Sequence, residues 1–289
     1  MLIIPANVII KRKVLKINIF LICLIIFILI STPLNSNEKD HELLMATLFV
    51  QSSAEFYANS KSIYKAAENN LKELLQNKYH TAALEQTDNY HNKPPAIILD
   101  VDQTVLDNSA YQARLIKNNT SYPDGWVSWA KEEQAEFLPG ALEFLQFALS
   151  EGVEIFFVTN RVKEIEEATI KNYQKLGLNL PKKKDFILSR GENNWGSNKS
   201  SRRELLARDY RIVMMFGDNL GDFVDIKENN LSPAERISVT KKYDDYWGVS
   251  WYMFSNPMYG DWEGSIIDFD YSISRDKKLE KKSKSLDQK

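Results

Sequence analysis

Between residues 96 and 216, short runs rich in β-branched and aromatic residues alternate with segments whose apolar residues recur at helical spacing. The strand-like runs occupy residues 96–101, 153–159, 186–188 and 212–216, and the helix-like segments occupy residues 141–150, 163–176 and 200–208. This order is typical of repeated βαβ units, in which helices cover a parallel sheet. We therefore predict an α/β fold with a Rossmann-type parallel sheet and helices on both of its faces.

Segments on either side of this alternation complete the predicted domain organisation. Residues 42–75 contain no Pro or Gly and have helical periodicity, so they predict one long helix or two, a small helical lobe within an N-terminal segment 37–92. The core is assigned to residues 93–270. Its aromatic insert near residues 110–136 is expected to form either a substrate-facing cap or a packed surface loop. The Lys-rich tail, residues 271–289, is expected to be frayed or disordered from residue 276 onward.

The N-terminus has the layout of a secretory signal. Basic residues from Lys11 to Lys16 precede twelve unbroken apolar residues, 19–30. This run is shorter than the about twenty residues that span a bilayer. We therefore expect residues 1–36 to direct export to the periplasm or cell envelope, as a cleaved signal or as an uncleaved anchor that attaches the protein to the membrane. Cys23 lacks the small preceding residue that a lipid-attachment site requires, so lipidation is not predicted.

Composition argues against several classes of function. The chain has 37 basic and 39 acidic residues, a balance that gives no support to nucleic-acid binding. Its one cysteine lies in the N-terminal apolar run, so the exported domain has neither disulfides nor a catalytic thiol. None of the three histidines lies in an Arg-His-Gly setting, which argues against a phosphohistidine mechanism.

Two acidic residues follow the first predicted strand directly. Asp100 and Asp102 are spaced i, i+2, which places both carboxyl groups on one side of the strand end. In parallel α/β sheets ligands bind in the crevice outside the carboxyl ends of the strands. We therefore interpret this pair as the centre of a candidate active site.

Further polar residues follow the other predicted strands or lie between them. Thr159 and Asn160 end the second strand, Lys199 lies in a polar loop, and Asp218 and Asp222 follow the strand that ends at residue 216. The hydroxyl, amide and ammonium groups of the first three suit phosphoryl oxygens. The two further aspartates, with Asp100, form a hard-oxygen set suited to Mg²⁺.

These residue types match the needs of phosphoryl transfer from a phosphomonoester. A catalyst needs a nucleophile, a cation that screens the phosphoryl charge and an acid for the leaving alcohol. We assign Asp100 as the nucleophile that forms an aspartyl-phosphate, and Asp102 as the acid that protonates the leaving oxygen and later deprotonates water. Because Asp102 must first carry a proton, and the reference pKa of Asp is about 3.9, an acidic optimum is predicted.

Each of these residues alone has a more ordinary interpretation. An Asp-x-Asp pair is common in turns, Asp218 could cap a helix, Thr159 could end a strand without a ligand, and Lys199 could be a solvated surface residue. Their joint occurrence, in this order and after apolar strands, favours the catalytic interpretation.

At this point the motifs resemble those of the haloacid dehalogenase superfamily, and within it the bacterial class C (class B-like) acid phosphatases. The superfamily pattern is matched by Asp100, Asp102, Thr104, Thr159, Lys199, Gly217, Asp218 and Asp222. The narrower family is indicated by Leu106-Asp107-Asn108-Ser109, Val158-Thr159-Asn160-Arg161, Gly217-Asp218-Asn219-Leu220-Gly221-Asp222-Phe223 and the segment from Pro257 to Gly264. The similarity runs from about residue 44 to residue 270.

The resemblance implies a haloacid dehalogenase-like fold and Mg²⁺ dependence, with the side chains of Asp100 and Asp218 and the backbone carbonyl of Asp102 as metal ligands. It also implies a broad range of substrates that includes 5′-nucleotides. Aromatic rings that stack on the base would come from Trp126 or Trp129 and from Tyr259, although each could equally be a core or rim residue.

The chain departs from the family pattern at one position beside the acid pair. Gln103 stands where the family usually has Glu, which keeps the shape of the side chain and removes a charge. We expect activity to survive, with altered metal affinity or pH profile.

These observations predict an exported, Mg²⁺-dependent acid phosphatase that hydrolyses small phosphomonoesters through an aspartyl-phosphate. One alternative is a phosphotransferase on the same scaffold, which would pass the phosphoryl group to an alcohol. The other is a surface-anchored, non-catalytic binding protein. The presence of Asp100, Asp102, Lys199 and Asp218 together argues against the second alternative.

Overall fold

The computed structural model describes residues 41–181, 184–226 and 230–289. The predicted signal, residues 1–36, lies outside the described residues. The strands are β1 Pro95–Leu99, β2 Leu106–Asp107, β3 Glu136–Phe137, β4 Glu154–Val162, β5 Ile187–Arg190, β6 Arg211–Gly217 and β7 Trp251–Met253. The helices are α1 Leu44–Ser52, α2 Ala54–Gln76, α3 Ser109–Asn118, α4 Trp126–Ala130, α5 Ala141–Ser150, α6 Glu166–Lys175, α7 Ser200–Asp209, α8 Pro233–Lys241, α9 Asp261–Ile266 and α10 Arg275–Lys284.

Five strands form one parallel sheet in the order β5-β4-β1-β6-β7. The chain moves from β1 outward to β4 and β5, and then returns to the other side of β1 for β6 and β7. Right-handed crossovers in opposite directions place their helices on opposite faces of the sheet. The prediction of an α/β fold with a Rossmann-type parallel sheet is therefore confirmed, with β1 at the point where the strand order reverses.

The predicted strands and helices of the core lie close to the observed ones. The helix predicted for residues 141–150 coincides with α5, and each of the four predicted strands overlaps a strand of the sheet. Strand β7 was not predicted, because three residues are too short a run to show a period of two. Its residues pair with the end of β6, where Gly217 lies opposite Met253.

The N-terminal helical segment forms two helices. Ser53 has an extended backbone with φ −86° and ψ 136°, and its hydroxyl accepts a hydrogen bond from the Phe56 N–H, so it ends α1 and caps α2. One face of α2 is buried against α5, β6 and β7. Its Tyr64 stacks on Phe216, with 5.9 Å between the ring centroids, and donates to the carbonyl of Thr104 at 2.7 Å. Helix α2 thereby supports the loop that follows β1.

The aromatic insert has regular structure. Strands β2 and β3 pair antiparallel, and the chain between them forms α3 and α4. Trp126 and Trp129 stack with their ring centroids 5.4 Å apart, and both contact Tyr111. A substrate-facing role for this insert stays a prediction.

The prediction of a frayed tail is wrong for most of its length. Residues Arg275–Lys284 form α10, which Ser274 caps through its hydroxyl. The Lys282 ammonium lies 2.5 Å from carboxylate oxygens of both Glu42 and Glu263. Disorder was expected because the tail is rich in Lys. Helix α10 buries no residue, but the Ser274 cap and the ion pairs of Lys282 give it partners that composition does not show.

Within residues 41–181, 184–226 and 230–289, no helix combines the length and the apolar character needed to cross a bilayer.

Candidate active site

The loop after β1 separates the two aspartates of the predicted acid pair. The Asp100 backbone N–H donates to the carbonyl of Phe216, which fixes the residue at the carboxyl edge of the sheet. Gln103 then has a left-handed backbone, with φ 56°, and the chain folds back so that the Leu106 N–H donates to Val101. As a result the Asp100 side chain is buried in the centre of the site, whereas Asp102 keeps part of its surface exposed.

Lys199 lies between two of the predicted metal ligands. Its Nζ atom is 2.5 Å from Oδ1 of Asp100 and 2.6 Å from Oδ1 of Asp222, and all three residues are less than 10 % exposed. Burial would lower the pKa of Lys199, but the two carboxylates outweigh burial and raise it. Lys199 therefore holds a fixed positive charge against the predicted nucleophile.

Asp100, Asp218 and Asp222 form a cluster in which one oxygen of each carboxylate lies within 4.8 Å of the others. The Asp222 side chain fits there because residue 217 is a glycine, since a Cβ atom at this position would lie 2.5 Å from the Cβ atom of Asp222. Three carboxylates against the one charge of Lys199 leave an excess of negative charge in a buried place. The donor set and its charge fit a hard divalent cation such as Mg²⁺, and the backbone carbonyl of Asp102 stays a further predicted ligand.

The pKa values of Asp100 and Asp218 also favour a bound cation. Burial raises the pKa of Asp100 to about 7, although Lys199 opposes the shift and Asp222 and Asp102 add to it. Burial also raises the pKa of Asp218 well above its ordinary value, and the charges of Asp100 and Asp222 raise it further. Without a cation the cluster is therefore more stable with protons bound than fully ionised.

The raised pKa of Asp100 makes the stability of the metal-free protein depend on pH. Because the folded-state pKa of Asp100 is raised, its stabilising contribution is complete below the unfolded pKa of about 3.9 and is lost as pH rises through about 7. Mg²⁺ needs ionised ligands. We therefore expect Mg²⁺ to raise Tm by about 3–8 °C near pH 8 and by much less near pH 5.

Differential scanning calorimetry with Mg²⁺ and with EDTA measures this difference. The control is Asp218→Asn, which removes one ligand and keeps the shape of the side chain, and for which the Mg²⁺-dependent shift should be largely lost. A shift of equal size at both pH values, or in the variant, would contradict the assignment of the cluster.

Asp102 is held by a residue for which no role was predicted. The Nε and Nη2 atoms of Arg161 lie 3.1 Å and 2.8 Å from oxygens of the Asp102 carboxylate. Arg161 is 3 % exposed, its Nη1 donates to Thr169, and its guanidinium lies 5.5 Å from the ring of Trp126. Because these contacts hold the guanidinium in place, Arg161 fixes the direction of the Asp102 carboxylate. The sequence offered one signal for this role. Arg161 lies two residues after Thr159, and residues i and i+2 share one side of a strand.

Thr159 and Asn160 lie near the carboxyl end of β4, as predicted, and the side chains of both form hydrogen bonds within the protein. The Thr159 hydroxyl is buried and accepts from the Arg161 N–H. The Asn160 amide donates to the carbonyl of Ser197 and accepts from Arg202. Asn160 therefore ties β4 to the loop that carries Lys199, and phosphoryl binding by these two residues stays a prediction.

Arg202 is a second buried arginine that the sequence did not single out. It is fully buried and donates to the carbonyls of Thr159, Gly196 and Asn198 as well as to Asn160. Burial lowers the pKa of Arg202 to about 10. The Arg202 guanidinium thus joins the end of β4 to the loop before α7. An Arg in a polar helix gives no sequence signal for such a role.

The three aromatic residues predicted to stack on a base differ in their accessibility. Trp129 is 2 % exposed beneath Trp126 and Tyr111, so its faces belong to the core, and this corrects its assignment to substrate binding. Trp126 and Tyr259 are only half-buried. Of the three rings, these two are therefore the ones that a ligand could reach.

Gln103 and Tyr259 are connected through a third side chain. Nε2 of Gln103 donates to Oδ1 of Asp107 at 2.9 Å and to Oδ1 of Asn108 at 2.7 Å. Nδ2 of Asn108 then donates to the Tyr259 hydroxyl at 2.7 Å. The position at which the chain departs from the family pattern is thus linked directly to a predicted substrate-binding residue.

A protein-family model and two curated proteins are similar to this chain. Residues 33–262 match the family model described as HAD superfamily, subfamily IIIB (acid phosphatase). A class B acid phosphatase from Morganella morganii is 28 % identical over 167 residues, which are 54 % of this chain and 69 % of that protein. Vegetative storage protein 1 from Arabidopsis thaliana is 27 % identical over 133 residues, 44 % of this chain and 48 % of that protein.

A solved structure is also similar. The class C acid phosphatase from Bacillus anthracis, in a crystal structure with tungstate bound, aligns with a TM-score of 0.74 and 34 % identity over 86 % of this chain and 97 % of that chain. The same protein in a second crystal structure gives a TM-score of 0.73. The similarity therefore covers both the sheet and the insert.

Proposed function

Because this chain belongs to the acid phosphatases of HAD superfamily subfamily IIIB, which hydrolyse phosphomonoesters, we propose that it forms an aspartyl-phosphate on Asp100 and depends on Mg²⁺. The observation that carries the proposal is the buried contact of Lys199 with Asp100 beside Asp218 and Asp222. This arrangement holds a carboxylate nucleophile, a fixed cation and an oxygen donor set in one place. Small phosphomonoesters, including 5′-nucleotides, are the proposed substrates.

The chemistry follows from the position of each side chain. An Oδ atom of Asp100 attacks phosphorus, and the bond from phosphorus to the ester oxygen breaks as Asp102 gives that oxygen its proton. Asp102 then takes a proton from water, the water oxygen attacks phosphorus, and the bond to Asp100 breaks to release phosphate. Lys199 keeps its charge beside the phosphoryl oxygens throughout. The cation, when bound by Asp100, Asp218 and Asp222, would screen the negative charge of the phosphoryl group.

Both half-buried aromatic rings support nucleotides as a substrate class. Trp126 stacks on Trp129 and has the Arg161 guanidinium over its ring, and Tyr259 is bonded through its hydroxyl to Asn108. A base that stacks on an open face of either ring would gain about 1–3 kcal/mol.

The test of the proposed function is phosphate release from 4-nitrophenyl phosphate by the purified full-length protein. At saturating Mg²⁺, which keeps the ligand carboxylates ionised, we expect turnover that is faster near pH 5 than near pH 8, that falls about 100-fold or more with EDTA, and that returns when Mg²⁺ is restored. Turnover that EDTA does not affect would contradict the metal dependence. Folded, metal-loaded protein without turnover would contradict the phosphatase activity and favour a binding role.

The same assay separates hydrolysis from phosphoryl transfer. With glycerol added as an acceptor, a hydrolase releases one phosphate for each nitrophenol, whereas a phosphotransferase releases less phosphate than nitrophenol. Export to the periplasm or envelope is proposed on the N-terminal sequence, and fractionation of cells that produce the protein would test it.

A further inference from the structure

The side chains of Gln103, Asn108 and Tyr259 form a hydrogen-bonded relay, in which the direction of every bond can be determined. Gln103 and Asn108 are each 2 % exposed, so neither amide has solvent as an alternative partner. The relay begins at Asp107, whose Oδ1 accepts from the Ser109 backbone N–H at 2.7 Å as well as from Gln103. It ends at the Tyr259 hydroxyl, beside the candidate active site.

Donor and acceptor chemistry fixes the orientation of both amides. The Asp107 oxygen accepts a backbone N–H, so the Gln103 atom that faces it must be the nitrogen. The same nitrogen faces Asn108 and can only donate, so Asn108 must present its oxygen to Gln103. Asn108 is left with its nitrogen toward Tyr259 and donates to the hydroxyl oxygen. The orientation of Asn108 is therefore imposed by Gln103.

This orientation leaves the proton of Tyr259 without a partner inside the protein. The hydroxyl oxygen accepts from Asn108, and across residues 41–181, 184–226 and 230–289 no protein group accepts a hydrogen bond from its O–H. Burial raises the pKa of Tyr259 well above its ordinary value, and the charges of Asp218 and Asp102 raise it further, so the proton is retained. A half-buried donor that lacks an acceptor favours a ligand that supplies one.

The topology indicates which part of a substrate meets this donor. The predicted phosphoryl-binding residues Thr159 and Asn160 lie on β4, on one side of β1, whereas Tyr259 follows β7 on the other side of β1. Through Asn108 the hydroxyl is also bonded to Gln103, which directly follows Asp102, the residue to which we assign protonation of the leaving oxygen. The hydroxyl therefore lies toward the leaving group.

We propose that Gln103 is a positioning residue that directs the Tyr259 hydroxyl as a donor to an oxygen or ring-nitrogen acceptor on the leaving group of the substrate. The proposal rests on the proposed phosphatase function. It predicts selection for phosphomonoesters whose alcohol carries such an acceptor, as nucleosides do, over esters of plain phenol.

Three shape-conserving substitutions test the relay. Tyr259→Phe removes only the donor. Gln103→Glu and Asn108→Asp each put an acceptor in place of an amide nitrogen, so that the Tyr259 proton is drawn into the relay. KM and kcat are measured for adenosine 5′-monophosphate and for phenyl phosphate, together with the inhibition constant of inorganic phosphate. Tyr90→Phe is the matched control, because its hydroxyl donates to a carbonyl in an exposed loop.

We expect Tyr259→Phe to raise KM for the nucleotide about 3- to 10-fold, with phenyl phosphate and inorganic phosphate changed less than about 2-fold. Gln103→Glu and Asn108→Asp should reproduce this pattern. In the Tyr259→Phe background either should add less than about 2-fold, because the relay acts through the hydroxyl.

Other outcomes would overturn the proposal. Equal effects on both substrates and on inorganic phosphate would mean that the hydroxyl contacts the phosphoryl group or only supports the fold. Additive effects of Gln103→Glu and Tyr259→Phe would mean that Gln103 does not act through Tyr259. Because Gln103→Glu places two carboxylates together and could fail to fold, Asn108→Asp provides the same test independently. A wild-type protein that hydrolyses neither substrate would contradict the proposed function, which is a separate result.

Discussion

Asp100→Asn is expected to reduce phosphate release by about 10⁴-fold or more, because the amide oxygen cannot form the aspartyl-phosphate. The substitution keeps the volume of the side chain and leaves Lys199 paired with Asp222. It also removes one carboxylate from the metal cluster. The loss should therefore appear in kcat at saturating Mg²⁺ as well as in metal affinity.

The measurement compares the variant with wild-type protein over a range of Mg²⁺ concentrations, and circular dichroism and Tm confirm folding. Asp209→Asn is a matched control, because Asp209 is exposed at the end of α7. Rapid acid quenching with labelled substrate should trap phosphate on wild-type protein as a hydroxylamine-sensitive acyl phosphate. A folded Asp100→Asn variant that keeps a few per cent of the activity would rule out Asp100 as the nucleophile.

The central residues of the site could be predicted because the carboxyl ends of parallel strands lie on the same side of the sheet. Asp100 follows β1 and Asp218 follows β6, and β1 and β6 are neighbours in the sheet. Order along the chain and an apolar run before each acid were therefore enough to place the two carboxylates together. Lys199 was predicted from its place in the motif order, and its contacts with Asp100 and Asp222 agree with that prediction.

Partners that are distant in sequence could not be predicted in the same way. Arg202 contacts Thr159, 43 residues away, and Lys282 in α10 contacts Glu42, 240 residues away. Neither contact leaves a periodic pattern. The burial of Trp129 depends on how α4 lies against α3, which composition does not determine. What escaped prediction was thus the set of side chains that hold the catalytic groups in place.

Arg161→Met is expected to show how much of the activity depends on the ion pair between Arg161 and Asp102. Arg161 bonds both oxygens of the Asp102 carboxylate, and Met keeps the apolar contact with Trp126 but has no donor. A carboxyl group that is free to rotate should fail to meet the leaving oxygen. In the step that forms the aspartyl-phosphate, the loss should therefore be large only where the leaving group needs a proton.

We expect kcat/KM, which reports the steps up to departure of the leaving group, to fall about 100-fold for an alkyl phosphate such as glycerol 2-phosphate. For 2,4-dinitrophenyl phosphate, whose phenolate leaves without protonation, kcat/KM should fall less than about 3-fold. Arg208→Met, on the exposed end of α7, is the matched control. Arg161→Lys should recover only part of the loss, because one ammonium cannot hold two carboxylate oxygens in a plane.

The comparison between leaving groups separates catalysis from stability. Removal of Arg161 leaves the Asp102 carboxylate without its ion pair, and this is expected to cost about 3–5 kcal/mol of stability if the charge stays mostly buried, less where water reaches it. A general loss of structure would lower both rates by the same factor, since both substrates need the same folded site. Equal losses would therefore contradict the positioning of Asp102 by Arg161, whereas unequal losses would identify Asp102 as the acid and Arg161 as the residue that orients it.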